Sequence, residues 1–278
     1  MATTLTQLLN YAQNHAFIQA VGTEGSTNDA SVPDDQWQDT DVTFFTNDVT
    51  QFDFADWTAV FGQPTIVRQK EPTNPYIKET ADWRIFLTQF ADSSRIDLKI
   101  APVTAISAYL ANDSLNTIVW SRDGSFQPRE TSDASSRLYA PTQAAFNAML
   151  NTFYWHIGNV AKGLGRDKFL YAVEINNQLV RPQLLQGLAW VVASARGKDG
   201  FNPGPKFQNL ADHLPKDVYV RLQQTYRQEN VKKLRHSALL EASLMIWTQQ
   251  RMVQYAGLRL PDYLANRIRQ LDDWINRI

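Results

Sequence analysis

The residues best suited to chemistry are two aspartates separated by one residue, Asp39 and Asp41, which precede the apolar run 42–45. Side chains alternate between the two faces of a strand, so this spacing at a strand start places both carboxylates on one face. Two adjacent carboxylates repel each other unless a cation lies between them. Mg²⁺ prefers oxygen ligands and also binds phosphates, and the pair therefore predicts a magnesium site. A solvated strand edge is the alternative for such a pair taken alone.

A third carboxylate, Asp97, lies in a second run that predicts a strand, residues 95–100. Its isoleucines and leucine would face one way, and Arg95, Asp97 and Lys99 would face the other. If this strand pairs beside that of the first two aspartates, three carboxylates meet at one point. Such a cluster can hold one or two metal ions, align a triphosphate and deprotonate a hydroxyl.

Gly25-Ser26 precedes both acidic segments. Taken alone, a Gly-Ser pair predicts no more than a turn. The order Gly-Ser, paired aspartates, apolar strand and a later strand with an inward aspartate is much more specific than any of its parts.

The composition excludes several classes of function. The 278 residues carry 27 basic and 28 acidic side chains, so no global basic field attracts nucleic acid. There is no cysteine, which excludes a thiol nucleophile and Cys-ligated zinc, and the 4 histidines are dispersed. Neither a signal peptide nor a run of the ~20 apolar residues that span a bilayer is present. We expect a cytoplasmic protein that binds neither nucleic acid nor membrane.

The pattern of apolar and turn-forming residues changes near residue 141, which is the predicted domain boundary. Before it, short β-rich runs alternate with turn clusters. A helix is predicted at residues 5–14, and strands at residues 16–23, 41–46, 83–90, 95–103 and 118–122. The polar residues 91–94 predict a hairpin turn between two of these strands.

After residue 141 the apolar residues recur at helical spacing. One stripe runs along a long helix with Pro141 in its first turn; its residues are Phe146, Leu150, Phe153, Ile157, Val160 and Leu164. Further helices are predicted at 168–179, 183–195, 217–227, 230–255 and 261–275. The predicted fold is α+β, with a mixed sheet and helices at 1–140 and a helical bundle at 141–278.

Several segments of the chain resemble the aminoglycoside 6-adenylyltransferases, also called streptomycin adenylyltransferases. They are Gly25-Ser26 and residues 32–41, 56–62, 95–98, 113–115, 160–164, 170–172 and 181–190. The resemblance implies a nucleotidyltransferase-like N-terminal domain and a helical C-terminal domain that contributes to nucleotide and acceptor binding. It also implies an antibiotic-resistance enzyme that transfers AMP from ATP, with Mg²⁺, to a hydroxyl of an aminoglycoside such as streptomycin.

The resemblance also implies roles for the candidate residues. Asp39 and Asp41 would be metal ligands, and Asp97 would be the third ligand and the general base. Gly25 and Ser26 would contact the triphosphate, in keeping with the close approach of backbone N–H groups to phosphate oxygens that glycine permits.

In the second half, Lys162 would supply a positive charge to the same triphosphate, the alternative being a solvated surface lysine. Trp155 lies on the same helix face as Lys162, two turns earlier. It is a candidate to stack on adenine or to line the acceptor pocket, or else a core aromatic residue. Since aminoglycosides are polycations, their site needs acidic residues, for which Glu79, Asp82 and Glu174 are candidates.

One departure from the family pattern lies beside the phosphate-binding pair. Thr27 follows Gly25-Ser26 where the family has arginine, and Glu24 precedes it. Two alternatives therefore stay open: an adenylyltransferase with another small-molecule or protein acceptor, and a nucleotide-binding homologue without catalysis. The sequence leaves the oligomeric state open.

Overall fold

The computed structural model describes residues 2–70 and 83–277. It contains two compact units, Met1–Ser135 and Ser136–Ile278. The first unit is built around a mixed sheet and the second is helical, so the predicted α+β class is confirmed. No helix in the described ranges is long and apolar enough to cross a membrane.

The first unit carries its sheet between short helices. Its helices are α1 (Ala2–Asn14), α2 (Phe54–Phe61) and α3 (Ile106–Asn112). Its strands are β1 (Ile18–Glu24), β2 (Thr40–Thr46), β3 (Ile66–Lys70), β4 (Arg84–Gln89), β5 (Arg95–Pro102) and β6 (Thr117–Ser121). A 3₁₀ turn over Gly25–Asn28 follows β1 directly.

One parallel pairing joins two antiparallel halves of this sheet. The strand order is β3-β4-β5-β2-β1-β6. Strands β3, β4 and β5 are consecutive and antiparallel, and so are β1 and β2. Only β2 and β5, at the centre, run parallel among the described strands. Residues at the starts of β2 and β5 therefore lie side by side, which is the placement that the candidate site needs.

Alternation along the strands separates two apolar clusters. Val42 and Phe44 of β2 pack on one face in a cluster that includes Leu8 of α1 and Trp57 of α2. Phe45 faces the other way, where it meets the aromatic ring of Tyr109 in α3. Burial of these side chains, at ~25 cal/mol per Å² of apolar surface, fixes which face each strand residue takes. The odd-numbered residues at the start of β2 are thereby directed to the α3 face.

The second unit packs its helices around one core. They are α4 (Gln143–Gly165), α5 (Phe169–Ile175), α6 (Arg181–Arg196), α7 (Lys216–Gln224), α8 (Val231–Ala256) and α9 (Leu264–Asn276). The predicted stripe of α4 is buried throughout, from Phe146 to Leu164. Thr142 caps α4 by accepting a hydrogen bond from the Ala145 N–H, so Pro141 lies before the cap rather than in the first turn.

A buried ion pair lies beneath an irregular turn of this unit. Residues Asn176–Val180 form a π-helical turn that joins α5 to α6. Directly after it, Arg181 forms an ion pair with Glu241 of α8 (3.0 Å), and Asn176 donates a hydrogen bond to the same carboxylate (3.1 Å). Glu241 is fully buried and its second oxygen has no hydrogen-bond partner. Burial raises the pKa of Glu241 to about 7, an effect that Arg181 and Asn176 offset only in part.

The secondary structure departs from prediction where local signals are weak. Strand β3 and the helices α2 and α3 were not predicted. The two helices predicted at 168–179 and 183–195 form one helical run, because the π-helical turn carries the backbone past Pro182 without a loop.

Candidate active site

Three carboxylates form a row across three neighbouring strands at the start of β2. In the antiparallel pair, Glu24 lies opposite Asp41, and in the parallel pair Asp41 lies beside Asp97. Residues in register on adjacent strands share a face. The row lies on the α3 face of the sheet. The structure thus places Asp97 beside Asp41, as the site hypothesis requires.

The guanidinium of Arg95 joins the remaining predicted ligand, Asp39, to Asp97. Asp39 lies just before β2, with an oxygen 3.1 Å from Arg95 Nη1. Arg95 also donates from Nε (2.8 Å) and Nη2 (2.7 Å) to the two oxygens of Asp97. Such bidentate pairs combine geometric specificity with charge. Arg95 was not among the predicted site residues.

The expected cluster of three ligands is therefore not formed around one point. Within residues 2–70 and 83–277 no three acidic or histidine side chains are arranged to hold a metal ion. The physical reason lies in the Arg95 guanidinium, which neutralises Asp39 and Asp97 and keeps both turned toward itself. Asp41 takes no part in this arrangement, and no hydrogen bond or ion pair engages its carboxylate in the described chain.

A second cation neutralises Glu24, the acid that flanks the Gly-Ser pair. Lys99, two residues beyond Asp97 on β5, places its Nζ 2.9 Å from Glu24 Oε1. The Thr43 hydroxyl donates to the same oxygen (3.0 Å). The negative charge that Glu24 adds beside the expected phosphate site is thus matched by a lysine on the neighbouring strand.

The backbone at Gly25 and the carboxylate of Asp41 are in close contact. Gly25 has a φ of +70°, a conformation that L-residues other than glycine rarely adopt. A Cβ at this position would lie 2.6 Å from Asp41 Oδ2. The Ser26 hydroxyl accepts a hydrogen bond from the Gln38 side chain (3.2 Å), which ties the Gly-Ser turn to the loop of the paired aspartates. The Gly-Ser turn and the acidic row are therefore parts of one local structure.

The electrostatics of the row suit a hard divalent cation. Burial, followed by the charge of Glu24, raises the pKa of Asp41 to about 6. Burial also raises the pKa of Asp39, against the effect of Arg95. A carboxylate that is half-buried and unpaired is stabilised in its charged form by a cation, and oxygen donors are the ligands that Mg²⁺ prefers. The donor set of Asp39, Asp41 and Asp97 therefore fits Mg²⁺, provided that Arg95 moves aside.

The predicted residues of the second unit lie on α4. Lys162 is exposed in the last turn of the helix, and Trp155 is 68% exposed, so the core-aromatic alternative for Trp155 is wrong. Both line a cavity within this unit. Glu79 and Asp82, two of the acidic candidates for acceptor binding, lie outside the described residues. Glu174, the third, accepts a hydrogen bond from Gln178 on the helix surface.

The strand periodicity predicts that Arg95 and Lys99 share the face of Asp97, but it does not predict which carboxylates they pair with. The sequence signal for both was their period-two spacing around Asp97. Their partners, Asp39 and Glu24, are distant in the chain and come close only through the β2–β5 and β1–β2 registers. Those registers are not determined by local sequence.

Sequence comparisons with known proteins cover most of the chain. The family model described as streptomycin adenylyltransferase matches residues 1–273. An aminoglycoside 6-adenylyltransferase of Bacillus subtilis is 28% identical over 92% of this chain and 90% of its own length. One from Campylobacter jejuni is 29% identical over 80% of this chain and 77% of its own. A crystal structure of an aminoglycoside 6-adenyltransferase from Bacillus subtilis superposes with a TM-score of 0.49 at 23% identity, covering 97% and 96% of the two chains. The chain belongs to the streptomycin adenylyltransferase family, a family of adenylyltransferase enzymes.

Proposed function

We propose that this enzyme transfers AMP from MgATP to a hydroxyl of an aminoglycoside such as streptomycin. The observation that carries the proposal is the register of β2 and β5, which sets Asp41 beside Asp97 next to the Gly25 turn. Family membership supports adenylyl transfer, and the names of the relatives support the aminoglycoside acceptor.

In the proposed reaction, the acceptor hydroxyl attacks the α-phosphorus of ATP in line, the new P–O bond forms, and pyrophosphate leaves. Asp39 and Asp41 would hold Mg²⁺, which when bound neutralises charge on the phosphate oxygens. Asp97 accepts the hydroxyl proton. A carboxylate is a weak base for a hydroxyl, so its position beside the reacting oxygen contributes most of its effect.

The chain's other residues have supporting roles in this proposal. The backbone N–H groups of the Gly25-Ser26 turn bind the triphosphate, and Lys162 adds positive charge to it. Arg95 leaves Asp39 and Asp97 when the cation and nucleotide arrive. Its guanidinium then becomes available to a phosphate, for which a planar bidentate donor is suited.

Lys99 neutralises the negative charge of Glu24 before and after the nucleotide binds. Its ion pair with Glu24 spares the incoming nucleotide the full repulsion of that carboxylate. This pairing removes part of the reason for considering a homologue without catalysis, since Glu24 was one of the two residues that suggested it.

The test measures pyrophosphate release from MgATP with streptomycin and a panel of other aminoglycosides. Asp97→Asn keeps the shape of the side chain but cannot take a proton, and we expect its rate to fall roughly 10²–10⁴-fold with MgATP binding largely retained. Asp39→Asn should also weaken nucleotide binding that depends on Mg²⁺. Asp123→Asn, in an exposed turn of the same unit, is the matched control.

Two results would contradict parts of the proposal separately. Equal rates for Asp97→Asn and wild type would refute the assignment of the base. Tight MgATP binding without turnover on any aminoglycoside would favour another acceptor or a non-catalytic nucleotide-binding protein.

A further inference from the structure

Another cavity of the second unit lies where the ends of three helices meet. It has a volume of about 440 Å³, and its lining comes from the last turns of α6, the last turns of α8 and the start of α7. A cavity of this size is typical of a site for a small organic molecule. Its inner wall is apolar and is formed by buried residues, namely Val191, Val192, Leu214 and Val218.

Helix α8 contributes an aromatic and basic wall to this cavity. Trp247, Arg251 and Tyr255 follow one another at intervals of four residues, so they share one face of the helix. The Arg251 guanidinium lies 5.5 Å from the centre of the Trp247 ring and donates from Nη1 to Gln254 (2.7 Å). These contacts hold the guanidinium in place and leave its other N–H groups without an acceptor in the described chain.

The opposite wall carries a second arginine, Arg196, at the end of α6. Its guanidinium lies 5.3 Å from the centre of the Phe201 ring, and its Nη2 lies 3.0 Å from His213 Nδ1. Because arginine stays protonated, it donates to Nδ1, and the proton of the neutral imidazole is on Nε2. Partial burial and the charge of Arg196 lower the pKa of His213, which favours this neutral form. His213 thus adds an N–H donor to the cavity.

The charges of the lining do not cancel. Neither Arg196 nor Arg251 forms an ion pair in the described chain. Asp217, in the first turn of α7, is the acidic residue of the lining and is paired with neither of them. The cavity therefore keeps a net positive charge beside an apolar wall. A polycation such as an aminoglycoside would be repelled, whereas an anion with an apolar part would be attracted.

We propose that this cavity binds a small aromatic anion, a flat ring that carries a carboxylate or sulfonate group. The ring packs on the buried apolar wall and against Tyr255, and the anionic group pairs with Arg196 and Arg251. The inference goes beyond adenylyl transfer and does not depend on it, because every lining residue lies in the second unit and none has a role in the proposed reaction.

The experiment measures binding to the full chain by calorimetry, with naphthalenesulfonate as the probe. Naphthalenemethanol and naphthylmethylammonium present the same ring without charge and with a positive charge. We expect the sulfonate to bind most tightly and the ammonium probe not to bind. Arg196→Gln and Arg251→Gln should each weaken sulfonate binding about 10-fold, the lower end of the effect of a charge-assisted hydrogen bond, because both guanidiniums are at least partly exposed. Neither variant should change the affinity for naphthalenemethanol.

Arg227→Gln is the matched control, because Arg227 is an exposed arginine beyond the other end of α7 and does not line the cavity. Its affinity for the sulfonate should equal that of wild type. No sulfonate binding by wild type, or an unchanged affinity in both Arg196→Gln and Arg251→Gln, would overturn the inference. Weaker binding in Lys162→Ala alone would place the probe in the cavity that Trp155 and Lys162 line, and would overturn it as well.

Discussion

Replacing Gly25 by alanine tests the contact between the Gly-Ser turn and Asp41. Gly25 has a φ of +70°, and Gly124, in an exposed turn of the same unit, has a φ of +69°. Alanine in this conformation costs ~1–2 kcal/mol at either position. Only at position 25 does the new Cβ meet another group, since nothing lies within 4 Å of the corresponding point at Gly124.

The loss of activity expected for Gly25→Ala follows from the distance between the new Cβ and the Asp41 carboxylate. The Cβ would lie 2.6 Å from Asp41 Oδ2, whereas ordinary contacts begin at 3.4 Å, so the carboxylate must retreat by about 0.8 Å. A misplacement near 1 Å in a reacting assembly costs on the order of 10²-fold in rate. We therefore expect Gly25→Ala to lose about 100-fold in activity and Gly124→Ala to lose almost none.

Thermal melting measures the backbone strain that both variants share, and pyrophosphate release measures the displacement of Asp41 that only Gly25→Ala should cause. Both variants should melt lower, by about 2–4 °C for each kcal/mol, because both carry the same backbone strain. Only Gly25→Ala should also bind Mg²⁺ and MgATP more weakly. Comparable activity in the two variants would refute the reasoning, because the position of Asp41 would then be irrelevant to the chemistry.

Two further predictions concern the charged residues. Arg95→Gln should bind Mg²⁺ up to about 5-fold more tightly in calorimetry without nucleotide. The reason is that the cation no longer displaces a partly exposed guanidinium, whose ion pairs are worth ~1 kcal/mol or less. Equal or weaker binding would refute the competition between Mg²⁺ and Arg95 for the carboxylates. The folded pKa of Glu241 is raised to about 7 from an unfolded value of 4.5, so the folded chain holds the extra proton between these values. The free energy of unfolding should therefore fall by up to ~3 kcal/mol as pH rises through that window. Glu241→Gln should flatten this slope in urea titrations from pH 4.5 to 7.5, and an equal slope in both proteins would exclude Glu241 as its source.

The strands and helices that sequence patterns predicted are those whose apolar residues repeat over several turns or pairs. The stripe of α4 and the alternation around Asp97 are examples, since burial on one face determines both. Strand β3 could not be predicted, because its run Ile66–Lys70 carries three polar residues and its apolar and polar residues do not clearly alternate. The π-helical turn also has no local signal that distinguishes it from a loop before Pro182.

For the site, the paired aspartates and Asp97 could be found because strand periodicity gives the face of each side chain. The strand that lies beside β2, and its register, could not be found in this way. The ion pairs of Arg95 with Asp39 and of Lys99 with Glu24 depend on that register. They determine how much uncompensated negative charge the candidate site carries, and no local sequence pattern predicts that quantity.

The parallel pairing of β2 with β5 also has a consequence for how the chain folds. The halves β1–β2 and β3–β4–β5 can form from consecutive strands, and contacts between neighbours in sequence form faster than distant ones. The first half then presents the acidic residues Glu24, Asp39 and Asp41, while β5 presents Arg95 and Lys99 on either side of its own aspartate. A slip of β5 by two residues would move Lys99 away from Glu24 and Arg95 away from Asp39, so both ion pairs between strands would be lost. The charges of the candidate site thereby also favour the register in which the two halves of the sheet join.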